Sequence, residues 1–401
     1  MYNSAMAGGT SPSRQRLRVG VIGCGTIAQV MHLPYLTELS DRFDVVAISD
    51  LSPTTLHLVG NAFRVERRFE RWEELLEEPL DAAFVLTSGP HERIATSAAE
   101  RGLHVFVEKP MSMSAEAGSR MVEAAERAGV RLMVGYMKRY DPAYERLRDE
   151  LRRTDELRFV RVTTLEAPWQ PYVAHHLLAR GQDIDAQVIA ALRDEEERAA
   201  MAALGNDDRD VARLYADLLL GTLIHELNAL CGLLGEPTEV SFAELGEHAA
   251  TVVLSFGEVR CTLSWIDLPG IARYSQELAF YAPGQRATLT FPSPYLRNMP
   301  TRLVLEGGEL GTPRSWETVE TVSFDEAYKQ ELVEFHASVS EGREPLTSGR
   351  DAVRDVALCQ AIAEVHRERA GAARGDTHPS ASPVSLRTRA AARHRDPSPP
   401  R

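Results

Sequence analysis

Short apolar runs alternate with amphipathic helical segments along the first 140 residues. The apolar runs have the length of buried strands, and they cover 17–23, 43–50, 82–88, 104–110 and 131–137. Segments with helical periodicity follow the first run, through about Leu39, and occupy 116–129. Strands that alternate with helices in this way form a parallel sheet with helices on both faces. The sequence therefore predicts an α/β domain over 17–140.

The pattern changes after about residue 141. The predicted elements are, in order, a strand at 157–167, a polar helical stretch at about 178–215, a buried helix at 218–235, six strand-like runs between 238 and 307, and helices at 325–342 and 349–369. Successive strands joined by short turns form antiparallel sheets. A second α/β domain with an open, mainly antiparallel sheet is therefore expected over 141–370. Its helical insertion at about 178–215 could cover a site as a lid.

The two ends of the chain have a different composition. Residues 1–16 and 371–401 are rich in Ser, Gly, Pro and Arg and lack periodic apolar positions. Both segments are predicted to be disordered.

Length and charge narrow the class of protein. A chain of 401 residues is too long for one compact core and suits two domains. The net charge of −13 argues against nucleic acid and against an anionic membrane surface as partners. No stretch approaches the roughly 20 apolar residues that span a bilayer, and the first residues lack the apolar region of a secretory signal. The four cysteines form no CxxC pair, so a cytoplasmic protein without structural zinc is expected.

The sequence VGVIGCGTIA carries the most specific local signal. Gly23, Gly25 and Ala28 fill the pattern G-x-G-x-x-G/A between a predicted strand and a predicted helix. In this pattern the first glycine permits a tight turn, the second lets the backbone approach a pyrophosphate, and the third small residue lets the helix pack on the sheet. The helix N-terminus adds partial positive charge. These residues, together with Thr26 and Ile27, are predicted to bind a dinucleotide; the alternative is an ordinary tight turn.

Asp50 ends the next predicted strand, 22 residues after Ala28. That spacing is typical of the carboxylate that binds the adenosine ribose. A carboxylate accepts a hydrogen bond from the ribose 2′-OH and repels a 2′-phosphate. NAD is therefore the expected cofactor, and NADP stays possible because Arg64 or Arg67 could approach from the following turn.

Four further motifs follow the glycine turn in a fixed order. They are TSGPH at 87–91, EKP at 108–110, GYMKRYDP at 135–142 and HELNALCGLLGEP at 225–237. In this order they resemble the glucose–fructose oxidoreductase/inositol dehydrogenase family, called Gfo/Idh/MocA, over about residues 17–370. The resemblance implies an N-terminal Rossmann NAD(P)-binding domain and a second domain whose sheet helps to form a homodimer or homotetramer. It also implies a pocket in which a hydroxyl or keto group of a sugar, cyclitol or related small polar compound is oxidised or reduced.

Lys109, in the EKP tripeptide, matches the lysine that the resemblance places beside the reacting carbon. An ammonium group can donate a hydrogen bond, stabilise a developing alkoxide and relay a proton. Arginine cannot relay the proton, because its pKa is above about 12. The chain has only three lysines among 45 basic residues, and the others are Lys138 and Lys329. A lysine that is kept in such a chain favours a catalytic role; the alternative is a surface lysine at a strand end.

His225 matches the family histidine on the helix that lines the pocket. It is a candidate general base or substrate-orienting group, and the alternative is a buried structural histidine. Family members often carry the pattern D-x-G-x-H-x-x-D here. This chain has Gly221 and Asn228 at the two aspartate positions. The two missing carboxylates put the usual proton-relay triad in doubt and leave Lys109 with His225 as a possible dyad.

The remaining candidates are less specific. Thr87, His91 and Glu108 are predicted to lie near the cofactor. Substrate contacts are predicted from the KRYDP and WQPYVAHH segments, at Arg139, Tyr140, Trp169, Tyr172 and His176. His175 and His176 are not expected to bind a metal, since no cluster of further ligands has suitable spacing.

Two other functions share part of this pattern. One is a reaction that uses NAD without net redox change, as in a lyase, glycosidase or epimerase, for which the missing carboxylates leave room. The other is a catalytically inactive ligand-sensing module, against which the retained lysine argues. A dehydrogenase or ketoreductase is the preferred hypothesis.

Overall fold

The computed structural model describes residues 16–374 and 384–385. Most of the two segments predicted to be disordered lies outside these residues. The last long helix runs to Arg374, beyond the predicted boundary at 370. Val384–Ser385 forms a two-residue strand inside the segment that was predicted as a disordered tail.

The first domain is built on a parallel sheet, as predicted, and the sheet has six strands because a short strand at Arg67–Phe69 adds to the five predicted runs. Its strands are β1 (Leu17–Ile22), β2 (Phe43–Ser49), β3 (Arg67–Phe69), β4 (Ala82–Val85), β5 (His104–Glu108) and β6 (Leu132–Gly135). The strand order is β3-β2-β1-β4-β5-β6, and every pairing is parallel. All residues of the central β4 are buried, which is why these strands are apolar without alternation. The order reverses direction at β1, and a ligand crevice is expected at that point.

Helices cover both faces of this sheet. They are α1 (Leu33–Glu38), α2 (Pro53–Phe63), α3 (Trp72–Leu75), α4 (Glu92–Glu100) and α5 (Ala115–Ala128). The next helix, α6 (Pro142–Leu151), packs on the sheet of the second domain. A π-helical turn, Ala28–His32, precedes α1 and follows the glycine turn. Ser52 caps the N-terminus of α2 and Ser114 that of α5, each by a side-chain bond to a backbone N–H.

The second domain is built on a mixed, mainly antiparallel sheet. Its strands are β7 (Phe159–Glu166), β8 (Glu239–Leu245), β9 (Ala249–Phe256), β10 (Val259–Asp267), β11 (Ser275–Ala282), β12 (Gln285–Phe291), β13 (Arg302–Gly308), β14 (Ser315–Thr321) and β15 (Val384–Ser385). The order is β14-β13-β12-β11-β7-β10-β9-β8-β15. Among the described strands of this second sheet, only the pairing of β7 with β10 is parallel. The predicted sheet class is confirmed.

The segment predicted as one polar helical stretch is only partly helical. The helices of this domain are α7 (Gln170–Val173), α8 (Ala186–Leu204), α9 (Arg209–Arg213), α10 (Ile224–Leu234), α11 (Ala327–Glu341) and α12 (Gly349–Arg374). Residues 177–185 are irregular and lie against the first domain. The C-terminal end of α8 packs on α12, where the Gln360 amide donates a bond to the Ala203 carbonyl. Only the irregular part of the predicted lid therefore lies near the glycine turn.

One continuous helical segment is longer and more apolar than the sequence predicted. Arg209–Leu234 combines α9, the π-helix Leu214–Leu223 and α10, and its length and hydropathy would suffice to cross a membrane. The expectation that no stretch approaches this length was wrong. In the fold this segment is a core helix, because 56% of its most apolar window is buried.

Candidate active site

The glycine turn has the geometry that the motif predicts. Gly23 has φ +98°, a conformation that favours glycine. A Cβ at this position would lie 2.7 Å from the backbone of Leu86 and Thr87, so the turn also packs closely on the end of β4. A Cβ at Gly25 would meet no atom within 4 Å among the described residues. The space in front of Gly25 is open, and Ala28 is fully buried against the sheet.

Asp50 lies at the C-terminal end of β2, beside this turn. Its carboxylate accepts hydrogen bonds from the backbone N–H groups of Cys24, at 2.8 Å, and Ser52, at 2.9 Å. The carboxylate therefore holds the glycine turn in place. A ribose hydroxyl at this position would be a further donor to it.

A cleft of about 660 Å³ extends from the glycine turn to the second sheet. Seven predicted cofactor residues and two predicted substrate residues line it: Gly25, Thr26, Ile27, Thr87, His91, Glu108, Lys109, Trp169 and His225. The hydroxyl of Thr87 is buried and has no hydrogen-bond partner in the part of the chain that the structure describes. A cleft that starts at an open glycine, passes an unpaired donor and ends at Lys109 fits an extended dinucleotide.

Lys109 is fixed across the domain boundary. Its ammonium group donates a 2.6 Å hydrogen bond to the carbonyl of Gly221. Gly221 lies in the π-helix before α10, and π-helical turns interrupt the regular bonding of a helix, often at functional sites. Burial lowers the pKa of Lys109 below its usual value, although nearby carboxylates oppose the shift. A lysine of lowered pKa is suited to exchange a proton with a hydroxyl group.

His225 lies on the first turn of α10 and lines the same cleft. Its Nδ1 is buried and has no partner among residues 16–374 and 384–385. Burial lowers the pKa of the imidazole well below its usual value, and the charges of Lys109 and Lys138 lower it further. The ring is therefore neutral at physiological pH, and it is available as a hydrogen-bonding group for a substrate.

Two carboxylates besides Glu108 lie in the cleft, although the family's aspartate positions are Gly221 and Asn228 in this chain. Glu226, next to His225, is buried; its Oε1 accepts a 2.7 Å bond from the hydroxyl of Thr164, and its Oε2 has no partner among the described residues. Glu166 ends β7, and burial raises the pKa of its carboxyl group. The cleft therefore offers carboxylates beside the candidate dyad of Lys109 and His225. Glu226 follows His225 directly in the sequence, and this adjacency was the feature from which a carboxylate in the pocket could have been predicted.

A second lysine also lines the cleft. The Lys138 ammonium donates hydrogen bonds to the Gln276 side-chain carbonyl and to the Tyr274 hydroxyl. Burial lowers the pKa of Lys138 to about 8. The scarcity of lysine in this chain pointed to Lys138 as well as to Lys109, but its strand position gave no reason to place it in a pocket. Tyr172, a predicted substrate residue, instead accepts a 2.6 Å bond from the backbone N–H of Tyr274.

Glu108 and His91 support the cleft from below. Burial raises the pKa of Glu108, but the 2.7 Å bond with the His32 ring and the charge of Lys109 outweigh it and hold that pKa below its usual value. The ring nitrogens of His91 lie 2.7 Å from the Thr87 carbonyl and 2.9 Å from the Pro110 carbonyl. His91 therefore joins the turns after β4 and β5, and its polar atoms are already engaged.

One buried cluster has the composition of a metal site. Ligand atoms of His32, Glu108 and Glu331 lie within 4.8 Å of one another. The His32 ring already bonds to Glu108, and burial raises the pKa of Glu331 well above its usual value. The bond between His32 and Glu108 joins the π-helical turn before α1 to the end of β5.

Three predicted substrate residues lie elsewhere. The Tyr140 hydroxyl is buried and lies 2.8 Å from the hydroxyl of Thr347. The Arg139 guanidinium is buried against the Asn228 carbonyl, at 3.5 Å. His176 packs on its neighbour His175, with ring centroids 4.1 Å apart, and does not line the cleft. The KRYDP segment turns inward after β6, so it brings only its lysine to the cleft.

Asn228 has a structural reason to differ from aspartate. Its amide donates a 2.7 Å bond to the buried carboxyl group of Asp355 on α12. A second carboxylate at position 228 would place two acids in contact without a donor. Burial raises the pKa of Asp355 to about 7, and the amide bond and the charge of Arg139 partly offset this shift.

Comparison with known proteins agrees with these features. The profile of the oxidoreductase family with an NAD-binding Rossmann fold, Gfo/Idh/MocA, matches residues 17–136. Residues 17–136 therefore belong to the Gfo/Idh/MocA family. Inositol 2-dehydrogenase of Ralstonia nicotianae is 38% identical over 136 residues, which are 33% of this chain and 40% of that protein. Myo-inositol 2-dehydrogenase of Thermotoga maritima is 26% identical over 349 residues, 84% of this chain and 92% of that protein.

Solved structures share the whole two-domain fold of this chain. An oxidoreductase from Agrobacterium radiobacter, in complex with NAD+, L-tartaric acid and magnesium, has a TM-score of 0.64 and 20% identity. The match covers 88% of this chain and 97% of that one. KijD10, a 3-ketoreductase from Actinomadura kijaniata in complex with NADP, has a TM-score of 0.66 and 18% identity over 86% and 96% of the two chains. Relatives of this fold thus bind either cofactor.

Proposed function

We propose that this protein is an NAD(H)-dependent oxidoreductase that interconverts a secondary hydroxyl and a keto group on a small polyhydroxylated ring compound. The observation that carries the proposal is the cleft itself, which is lined by both an open glycine turn and a half-buried, hydrogen-bonded Lys109. The names of the inositol dehydrogenases that the chain resembles support the substrate class.

A nicotinamide bound in the cleft would accept or return the hydride. Lys109 handles the proton of the reacting hydroxyl group. One of its N–H groups is held by the Gly221 carbonyl, so the nitrogen has a fixed position and its remaining bonds face the cleft. When its pKa is lowered by burial, the neutral amine can take the hydroxyl proton during oxidation, and the ammonium can return it during reduction.

His225 and Glu226 position the substrate. The neutral imidazole offers its unpaired Nδ1 to the reacting hydroxyl or to its neighbour. Glu226 presents its unpaired Oε2 because Thr164 holds the other carboxylate oxygen. Groups of both signs line the pocket, so a neutral polyol is accommodated better than a multiply charged compound. They are Glu108, Glu166, Glu226, Lys109 and Lys138.

The test is a dehydrogenase assay on purified protein with a panel of cyclitols, aldoses and related polyols. NADH formation from NAD+ with one class of substrate, and its reversal with the matching ketone, is the expected result. Substrate conversion without NADH accumulation would instead indicate a reaction without net redox change. Tight NAD+ binding without turnover across the panel would indicate a sensing module.

We also propose that the protein forms a homodimer or homotetramer through the outer part of its second sheet. Trp316, Val319 and Phe324, on β14 and just after it, expose more than half of their surface. Exposed apolar groups of this size favour a protein interface. Light scattering coupled to size-exclusion chromatography tests this, and a monomer at all concentrations would contradict it.

A further inference from the structure

A segment of the second domain lies against the first domain beside the glycine turn and the start of α2. We call residues 177–183 the strap, because they join α7 to the N-terminal side of α8 and run along the first domain. Near the glycine turn the Gln29 amide holds the strap. Gln29 Oε1 accepts a 2.8 Å bond from Ala179 N, and its Nε2 donates to the carbonyls of Ala179, at 2.9 Å, and Cys24, at 2.7 Å. One side chain therefore couples the glycine turn to the strap.

The other end of the strap is attached to the start of α2. The Gly181 N–H donates a 2.8 Å bond to the hydroxyl of Thr55. Asp183 accepts two bonds, from the Ser52 hydroxyl and, at 2.8 Å, from the Thr54 N–H. A Cβ at Gly181 would lie 2.0 Å from the Ser52 hydroxyl oxygen, so this close approach requires a glycine.

The strap carries charges of opposite sign at these two places. The Arg180 guanidinium lies over the Trp169 ring, 5.3 Å from its centroid, and 3.5 Å from the hydroxyl of Thr26 on the glycine turn. A cation there complements a pyrophosphate. Asp183 places an anion beside Asp50, and both carboxylates accept a bond from the same residue, Ser52.

The donors that Asp183 occupies are those that would hold a phosphate. Backbone and hydroxyl donors in the first turn of a helix after the second strand bind anions readily. Here the Thr54 N–H and the Ser52 hydroxyl are engaged by a carboxylate from another domain. Those bonds hold the pKa of Asp183 at about 2, so this carboxylate is ionised throughout the physiological range.

We propose that Asp183 is a cofactor-specificity residue, which excludes NADP(H) by occupying the position and the donors that a 2′-phosphate would need. This inference rests on the proposed function, in which the cleft holds a nicotinamide dinucleotide. The charge of Asp183 adds to the repulsion that Asp50 exerts on a 2′-phosphate. The strap, which lies outside the glycine motif, thereby takes part in cofactor recognition. Arg180 would pair with the pyrophosphate, which NAD and NADP have in common.

The experiment compares the dissociation constants of NAD+ and NADP+ by titration calorimetry, without any substrate. The variants are Asp183→Ala, which frees the donors, and Asp183→Asn, which removes the charge alone. Because Asp183 is exposed, both variants are expected to keep the melting temperature of the wild type. Asp185→Ala is the matched control, since the Asp185 side chain caps α8 by accepting a bond from the Gln187 N–H and makes no bond to the first domain among the described residues.

The wild type and the control are expected to prefer NAD+. Asp183→Ala should raise the affinity for NADP+ by roughly three- to tenfold, as for an exposed charge pair, and leave that for NAD+ within about twofold. The gain should shrink at high salt, which screens an exposed charge. If the wild type binds NAD+ and both Asp183 variants keep the same preference for NAD+ over NADP+, the role of Asp183 is overturned while the proposed function stands. Wild-type protein that binds neither dinucleotide would overturn the proposed function as well.

Discussion

The ammonium group of Lys109 and the carbonyl of Gly221 are joined by a 2.6 Å hydrogen bond, which connects the turn after β5 to the π-helix before His225. The reactive nitrogen of the first domain is thus positioned by the second. Two of the three lysines of the chain, Lys109 and Lys138, line one cleft, whereas Lys329 pairs with Glu38 outside it.

Lys109→Met is expected to lower kcat by at least about 100-fold, because the variant has no group that can move the hydroxyl proton. Lys109→Arg should be similarly impaired, since a guanidinium keeps its proton. NAD+ affinity, measured by calorimetry, should change little. Lys329→Met is the matched control and should keep full activity; comparable activity in Lys109→Met would remove this residue from the mechanism.

Glu226→Gln is expected to lower kcat or raise KM by roughly 10- to 100-fold, because the amide offers a hydrogen-bond donor where the carboxylate offers an acceptor. Thr164→Val should act in the same direction but more weakly, since Thr164 only fixes the carboxylate. Steady-state kinetics on the best substrate measure both effects. Glu195→Gln makes the same chemical change on the exposed face of α8 and should have none.

The two glycines of the turn should respond differently to added bulk. Gly25→Val places its side chain in open space, so the free energy of unfolding should stay within about 0.5 kcal/mol while NAD+ binding falls at least about tenfold. Gly23→Ala meets the backbone after β4 at positive φ and should lose roughly 1–3 kcal/mol. Urea unfolding and calorimetry separate the two outcomes. A stable Gly25→Val variant with unchanged NAD+ affinity would contradict the assigned groove.

Asp355 predicts a pH-dependent stability. Its pKa is raised from 3.8 to about 7 in the folded state, so the folded protein binds more protons than the unfolded chain between these values. Stability from this group is therefore present below about pH 4 and is lost as the pH rises through about 7, by roughly 3–4 kcal/mol.

Asp355→Asn should remove that slope, because the amide stays neutral and still accepts the bond from Asn228. Urea unfolding at about pH 5 and about pH 8 gives the measurement. The exposed Asp149→Asn variant should retain the wild-type slope. An unchanged slope in Asp355→Asn would show that this carboxyl group does not titrate as described.

The sequence by itself determined the elements whose causes are local. Apolar runs separated by helices specified the parallel sheet, and the glycine turn with its acid on the next strand specified the dinucleotide groove. Lys109 could be assigned because its chemistry differs from that of the arginines around it. His225 could be placed on the right helix, and it lines the cleft as predicted.

Only the tertiary structure decided which side chains converge from distant segments. Arg139 and Tyr140 follow β6 and turn into the core, whereas Lys138, between Met137 and Arg139, reaches the cleft. Glu226 is one of the carboxylates in the cleft, and the hydroxyl of Thr164 on β7 fixes its orientation. Asp183 meets Ser52 across 131 residues. Such contacts depend on how two domains pack, and local propensity and spacing carry no information about that packing.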